Sequence, residues 1–398
     1  MPSSLFFVWS FFLSLAELEF DDYSNSLYNE IYTLLEVEPM KKIPLFLSLV
    51  LSLGLLAGCA GTPVVYYTEC NCPYNNLPSA QVTPEPSPAP IPPSAEGALK
   101  TGLAVIGGAG DSKDAAEVAY DVTIVGVTVD DKGVIQSCII DSVGAKVAFD
   151  ATGTITSDLS AAPATKNELG ENYGMKAYGG AKYEWNEQAA ALAQYAVGKT
   201  VDELKNGAID ESGKAPAGTD LASTATISLG GYVSAIETAV ANAANLGAQA
   251  GDELKLAVMS SVGSSKSATA EETGLAQLDC DVTALTVKDG VITSCTIDSL
   301  QAKVNFDNTG VITTDLSAPM QTKNQLGENY GMKAWGGAVA EWNEQAASFA
   351  GYVTGKTADE VAGIAVNEKT APTQADLASS VTIAVGGFQA LIGKAIAG

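Results

Sequence analysis

The sequence predicts an α+β protein: two tandem copies of a small domain, each with an antiparallel sheet and packed helices, after a signal peptide and a Pro-rich spacer. Three observations carry this. Lys166 to Ala190 (KNELGENYGMKAYGGAKYEWNEQAA) and Lys323 to Ala347 (KNQLGENYGMKAWGGAVAEWNEQAA) nearly coincide at an offset of 157 residues. Period-two alternation fills the first part of each copy, and helical spacing the second. Strands and helices segregated in this way indicate α+β rather than alternating βαβ units.

The same offset aligns Cys138 with Cys295 and Asp141 with Asp298, and Asp220-Leu-Ala-Ser meets Asp376-Leu-Ala-Ser at 156. The copies therefore run over about 98–246 and 250–398, a period far too long for a solenoid. In copy one, Asp121 to Val129, an Asp-Asp-Lys-Gly turn, Val134 to Asp141 and Lys146 to Asp150 read as hairpin-connected strands. Copy two repeats this with Asp281 to Val287, a Lys-Asp-Gly turn and Val291 to Asp298. Helices are expected at Tyr183 to Val197 and Ala340 to Val353. Capping boxes at Thr200/Glu203 and Thr357/Glu360 open short helices. Final amphipathic helices are expected at Gly231 to Asn245 and Gly387 to Ala397.

Upstream, residues 40–59 read MKKIPLFLSLVLSLGLLAGC. A basic start, an apolar run too short for a standing span, and Leu-Ala-Gly-Cys59 resemble a lipoprotein signal peptide at 40–58, with Cys59 as the lipidated residue. If Met40 is the start, residues 1–39 are an upstream artefact or a non-structural leader. Diacylation at Cys59 would anchor the chain on the outer face of a membrane. Residues 59–97 form the linker; Pro73 to Pro93, about twenty residues, reaches on the order of 60 Å as an extended spacer.

Composition excludes several functions. All 21 basic residues are lysine, and arginine and histidine are absent. That removes c-type haem attachment, histidine-based zinc sites and Ser/His/Asp catalysis, and no metal site is expected. The net charge of −25 repels nucleic acid, so no such partner is expected. Losing residues 1–58 removes seven acidic residues and two lysines, which leaves −20.

Three constellations remain. The first is Asp220-Leu-Ala-Ser223-Thr224-Ala225-Thr226, matched by Asp376-Leu-Ala-Ser379-Ser380-Val381-Thr382. A hydroxyl just before a helix is placed either to hold a phosphate near the helix N-terminus or simply to cap it. Here the chain resembles the FMN-binding domain family, whose motif Asp-x-x-Ser/Thr-Gly-Ala/Ser-Thr ends on the threonine to which a flavin transferase attaches FMN through its phosphate. The resemblance implies attachment at Thr226 and Thr382, with Asp220, Ser223, Ala225, Asp376, Ser379 and Val381 around them. Thr224, Ser380 and Val381 depart from the pattern, more so in copy two.

Lipobox, spacer and paired domains together, over about 40–398, resemble lipoproteins of flavin-based extracellular electron transfer. This implies two covalent FMN groups per chain, storing up to about four electrons. A membrane-side donor (a quinol or dehydrogenase system) would reduce them, and soluble flavin or metal oxide would accept the electrons. The expected protein is an electron carrier rather than an enzyme with its own substrate. Alternatives are a cell-surface ligand-binding or immunogenic lipoprotein without redox activity, and a flavoenzyme, which would need a cationic cluster that a chain without Arg or His does not offer.

The second constellation is Asn172-Tyr-Gly-Met-Lys-Ala with Trp185, and Asn329-Tyr-Gly-Met-Lys-Ala with Trp342. Tyr173, Met175, Tyr330 and Met332 could contact a flavin ring, with a glycine allowing close approach. Trp185 reads more readily as core. The third is cysteine. In a simple hairpin turning at Asp289-Gly290, Cys280 and Cys295 sit about four residues out of register, so free thiols are expected. Cys70 and Cys72 lie at the start of the spacer.

Overall fold

Six strands, in two three-stranded antiparallel meanders, organise the chain in a computed structural model that describes residues 97–398. The signal peptide, Cys59, Cys70, Cys72 and most of the spacer lie outside the described residues. In the first repeat β1 (Lys100–Gly108), β2 (Glu117–Val129) and β3 (Ile135–Ala148) pair in that order. In the second, β4 (Glu253–Ser261), β5 (Gly274–Lys288) and β6 (Val291–Phe306) do the same.

Helices follow in the same order in both repeats. The first has α1 (Lys166–Leu169), a 3-10 turn (Gly170–Tyr173), α2 (Met175–Gly179), α3 (Trp185–Ala196), α4 (Val201–Ala208), α5 (Asp220–Thr224) and α6 (Gly230–Ala241). Their counterparts are α7 (Lys323–Leu326), α8 (Met332–Gly336), α9 (Trp342–Val353), α10 (Ala358–Ala362), α11 (Ala375–Ala378) and α12 (Gly386–Ala397). The chain is thus α+β with two tandem sheet–helix units. Both expected capping boxes form, with Thr200 and Thr357 accepting from the backbone N–H of Glu203 and Glu360.

The first strand of each sheet, β1 and β4, escapes the period-two reading. In β1 the glycines at 102, 107 and 108 break the alternation. Gly102 is there because α6 presses on it: a Cβ would sit 2.0 Å from the Ala239 carbonyl oxygen. β3, in turn, is one continuous strand, not two pieces split after Asp141. Gly144 breaks the apolar count but falls in an outward slot between the buried Val143 and Ala145, so the ladder runs through it.

The β5–β6 turn is a two-residue loop whose central residues are both left-handed, Asp289 at φ 51° and Gly290 at φ 81°. That geometry matches the twist of the flanking strands. A register shift at Thr286/Val287 then adds one residue to β6, so Cys280 faces Leu300 and Cys295 faces Leu285. The two cysteines are therefore five positions apart along the ladder, not four. Both thiols are free and buried, and burial pushes each up to about 12.

The two sheets pack face to face and share one core. Val118, Tyr120, Val122 and Ile124 of β2 meet Ala276, Leu278, Val282 and Ala284 of β5. Phe149 and Phe306, each just past or at the end of its third strand, stack at 4.1 Å with rings 5° from parallel. Polar contacts also cross: the Tyr120 hydroxyl donates to the Ala276 carbonyl at 2.8 Å, and Thr101 and Ser294 hydroxyls lie 2.6 Å apart. Lys394 of α12 pairs with Glu168 of α1.

The outer face of each sheet carries its own helices. Val125, Val127 and Val129 pack under α3 and α6, and Leu285 and Val287 under α9 and α12. The result is four layers: helices, sheet, sheet, helices. Among the described residues no helix is long and apolar enough to cross a membrane.

A shared core ties the stability of the two repeats together. Calorimetric unfolding of residues 97–398 is expected to be a single transition; two resolved transitions would mean the repeats are independent. Phe306→Ala removes the ring stack and leaves a cavity, and should cost ~3–5 kcal/mol in urea unfolding.

Candidate functional site

Each repeat places an exposed threonine on the loop between two helices, and a buried glutamine holds it there. In the first repeat Gln188, fully buried on α3, directs its side-chain oxygen at three donors. These are the Thr226 N–H at 2.7 Å, the Thr226 hydroxyl at 3.1 Å and the Ile227 N–H at 3.2 Å. In the second repeat Gln345 on α9 receives the Thr382 N–H at 2.8 Å, the Thr382 hydroxyl at 3.1 Å and the Ile383 N–H at 3.2 Å. The amide nitrogen of each glutamine is fixed in turn by a carbonyl, Tyr183 at 3.0 Å or Ala340 at 2.8 Å.

The glutamine is oriented by its own helix start. Glu184, one turn earlier and buried, caps α3 and reaches back to accept the N–H groups of Met175 at 2.8 Å and Lys176 at 3.0 Å. Glu341 does the same for Met332 and Lys333 at 2.8 and 3.0 Å. These carboxylates therefore join α2 to α3 and α8 to α9. Neither the glutamine nor the glutamate stands out from composition or spacing alone. The signal that could have found them is the run Glu-Trp-Asn-Glu-Gln-Ala-Ala, identical in both copies.

The expected neighbours divide. Ala225 and Val381 are buried and pin the loop to the core, and their N–H groups close turns onto Leu221 and Leu377. The larger Val381 fills a place in the second core that Ala225 leaves smaller in the first. Asp220 and Asp376 are exposed on the short helices α5 and α11. The Ser223 and Ser379 hydroxyls donate to the Asp220 and Asp376 carbonyls at 2.6 and 2.8 Å, so they shape the helix rather than reach the threonine. Met175 is brought in: its sulfur lies 3.9 Å from the Gln188 amide nitrogen. Met332 packs half-buried against the second core.

Four residues beyond each threonine, α6 and α12 begin with Gly-Gly. No side chain caps either helix and no acidic residue occupies either first turn. The Gly230 N–H is taken by the Gly213 carbonyl at 3.1 Å, and the remaining first-turn N–H groups and the helix dipole favour an anion at these ends.

The tyrosines differ between repeats. Tyr173 lines an open cleft of about 910 Å³ with Asp121, Gly144, Lys146 and Lys166. Lys166 is held between two rings, its Nζ 5.4 Å from the Tyr173 centroid and 5.1 Å from that of Trp185. Burial pulls the Lys166 ammonium down, but Asp121 at 3.2 Å, with Tyr232 and Tyr173, holds it above its ordinary value. In the second repeat the same space takes larger side chains. Gln301 stands opposite Asp279 where Gly144 stands opposite Asp121, and it bonds both Asp279 at 3.2 Å and the Tyr330 hydroxyl at 3.3 Å. Trp185 and Trp342 are buried packing residues, edge-on to Tyr232 and Phe388 at 5.8 and 5.9 Å.

Asp141 and Asp298 anchor the motif to the sheet. Each accepts the N–H of the next serine, at 2.8 and 2.7 Å, and that of Asn167 or Asn324 at 3.1 Å. Burial nonetheless raises both carboxyls, Asp298 to about 6.

No known protein family, curated protein or solved structure matches the chain.

Two measurements test this geometry. Gln188→Leu keeps the volume but orphans the donors of Thr226 and Ile227, and should cost ~1–3 kcal/mol by urea unfolding. The Asp298 carboxyl titrates higher in the folded chain than in the unfolded one, so the native state binds its proton more tightly. Its contribution is full below about pH 4 and is lost as pH rises through about 6, a change of ~3 kcal/mol. Asp298→Asn should flatten the stability profile over that window; an unchanged slope would show that Asp298 does not titrate there.

Proposed function

We propose that the protein is a lipid-anchored extracellular electron carrier that holds two covalent FMN groups, on Thr226 and Thr382, and passes electrons to acceptors outside the cell. The observation that carries this reading is the repeated threonine cradle. In both repeats one hydroxyl is exposed to a modifying enzyme while its backbone is fixed by a buried glutamine. These are the threonines on which the family motif ends.

The residues present fit such a group. A flavin transferase moving FMN from a flavin dinucleotide onto the threonine oxygen would break the donor's pyrophosphate P–O bond, release the nucleoside monophosphate and take the hydroxyl proton, and the glutamine oxygen would keep its two backbone donors. Helix starts without side-chain caps, at Gly231 in the first repeat (the Gly230 N–H being taken by the Gly213 carbonyl) and at Gly386 in the second, offer N–H groups to a phosphate in a chain that has no arginine. When bound, FMN supplies reversible electron transfer, and the protein supplies attachment, orientation and electrostatics. Covalent linkage suits a site outside the cell, where a free cofactor would diffuse away. Cys59 would carry the lipid anchor, and a quinol or dehydrogenase system on the membrane side would be the donor. Soluble flavin or metal oxide would be the acceptor.

One observation favours the alternative of a ligand-binding surface lipoprotein: the open cleft beside Tyr173 in the first repeat, which needs no cofactor to be useful.

The mature chain, co-expressed with a flavin transferase and then denatured, is expected to keep its flavin absorbance and to show two FMN additions in intact mass. Thr226→Ala and Thr382→Ala should each remove one. An unmodified, colourless chain would overturn the carrier reading and leave the ligand-binding one.

A further inference from the structure

Tyr178 and Trp335 occupy the same place in the two repeats, at the end of α2 and α8, and are 92% and 89% exposed. The other two described tryptophans are buried. Leaving a large ring in water forgoes the burial that normally makes aromatics worth having. Around this position the repeats diverge: Lys182 and Tyr183 in the first face Val339 and Ala340 in the second. The ring itself changes from phenol to indole and keeps only its flat aromatic face.

These rings are also held in place. Gly174 and Gly331 start the two short helices at φ 84° and 83°. A Cβ on Gly174 would lie 2.6 Å from Tyr178 Cδ2, and one on Gly331 2.3 Å from Trp335 Cδ1, so each ring rests against its glycine. The Tyr178 and Trp335 N–H groups bond the carbonyls of those glycines at 2.9 Å. The helix bases are fastened to the buried Glu184 and Glu341.

That fastening sets the relation to the threonines. Glu184 and Gln188 are four residues apart on α3, about 6 Å along its axis. One holds the base of the helix that carries Tyr178; the other holds Thr226. Glu341 and Gln345 repeat the arrangement for Trp335 and Thr382. An attachment point for a phosphate and a fixed, solvent-facing aromatic plane are thus hung on one helix, one turn apart, twice in the chain.

We infer that Tyr178 and Trp335 are the platforms on which the isoalloxazine rings of the two attached FMN groups stack, the threonine holding the phosphate end and the aromatic plane the ring end. This rests on the flavin reading above and assigns ring contact to residues other than Tyr173 and Tyr330.

The test uses the mature chain flavinylated by co-expression, comparing wild type with Tyr178→Ala/Trp335→Ala and Tyr178→Trp/Trp335→Phe on fractions that carry two FMN additions by mass. Stacking on phenol or indole quenches flavin fluorescence. The double alanine variant should fluoresce severalfold more brightly than wild type, and the aromatic exchange should remain largely quenched. Trp335 emission should in turn be weaker in the flavinylated wild type than in the unmodified chain. Equal flavin fluorescence in all three chains, each with two additions, would overturn the platform while leaving attachment intact. A wild type that acquires no flavin would overturn both.

Discussion

The face-to-face packing of the two sheets is the constraint on which the rest of the molecule depends. Each sheet turns one face to its partner, through Val122 and Ile124 on one side and Leu278 and Val282 on the other, with Phe149 and Phe306 stacked at its margin. Only the outer faces then remain for the helices. The helices must therefore lie on opposite sides of the molecule, and the two threonine loops with them. A duplicated domain becomes one body with two outward-facing sites of the same construction.

Within each repeat the site is set by a small number of buried polar groups. Gln188 and Gln345 have every polar atom paired, which is why they can sit in an apolar layer at all. Their oxygens gather two backbone N–H groups and a hydroxyl, and so fix a loop that has no strand or helix to support it. Glu184 and Glu341 do the same for the aromatic-bearing helices one turn away. Lysine takes part through Lys166, whose charge is balanced by Asp121 and flanked by two rings, and through Lys323, flanked likewise by Tyr330 and Trp342.

Much of this was legible in the sequence, and the failures have physical causes. The repeat, the hairpins, the capping boxes at Thr200 and Thr357 and the final helices follow from local rules that the structure obeys. The first strand of each sheet was missed; β1 is rich in glycine, and Gly102 answers to a helix 137 residues away, at Ala239, that no local pattern reveals, whereas β4 has no glycine. The cysteine register was one residue short because the shift at Thr286/Val287 leaves no mark in the alternation. The threonines were found by motif, but their glutamines were not, since a buried Gln at helical spacing looks like any polar surface residue. Tyr173 and Tyr330 seemed equivalent by repeat, and they are not: a glycine-to-glutamine difference, Gly144 against Gln301, opens one cleft and fills the other.

Locating the modification is the most direct test of the central claim that the glutamine-held threonines are the reactive groups. Proteolysis of the flavinylated mature chain and fragmentation of the flavin-bearing peptides would distinguish Thr226 and Thr382 from the exposed Ser223 and Ser379 three residues away. Phosphodiester linkage at Thr226 and Thr382 alone is the expected result. Flavin on Ser223 or Ser379, or on neither loop, would contradict it.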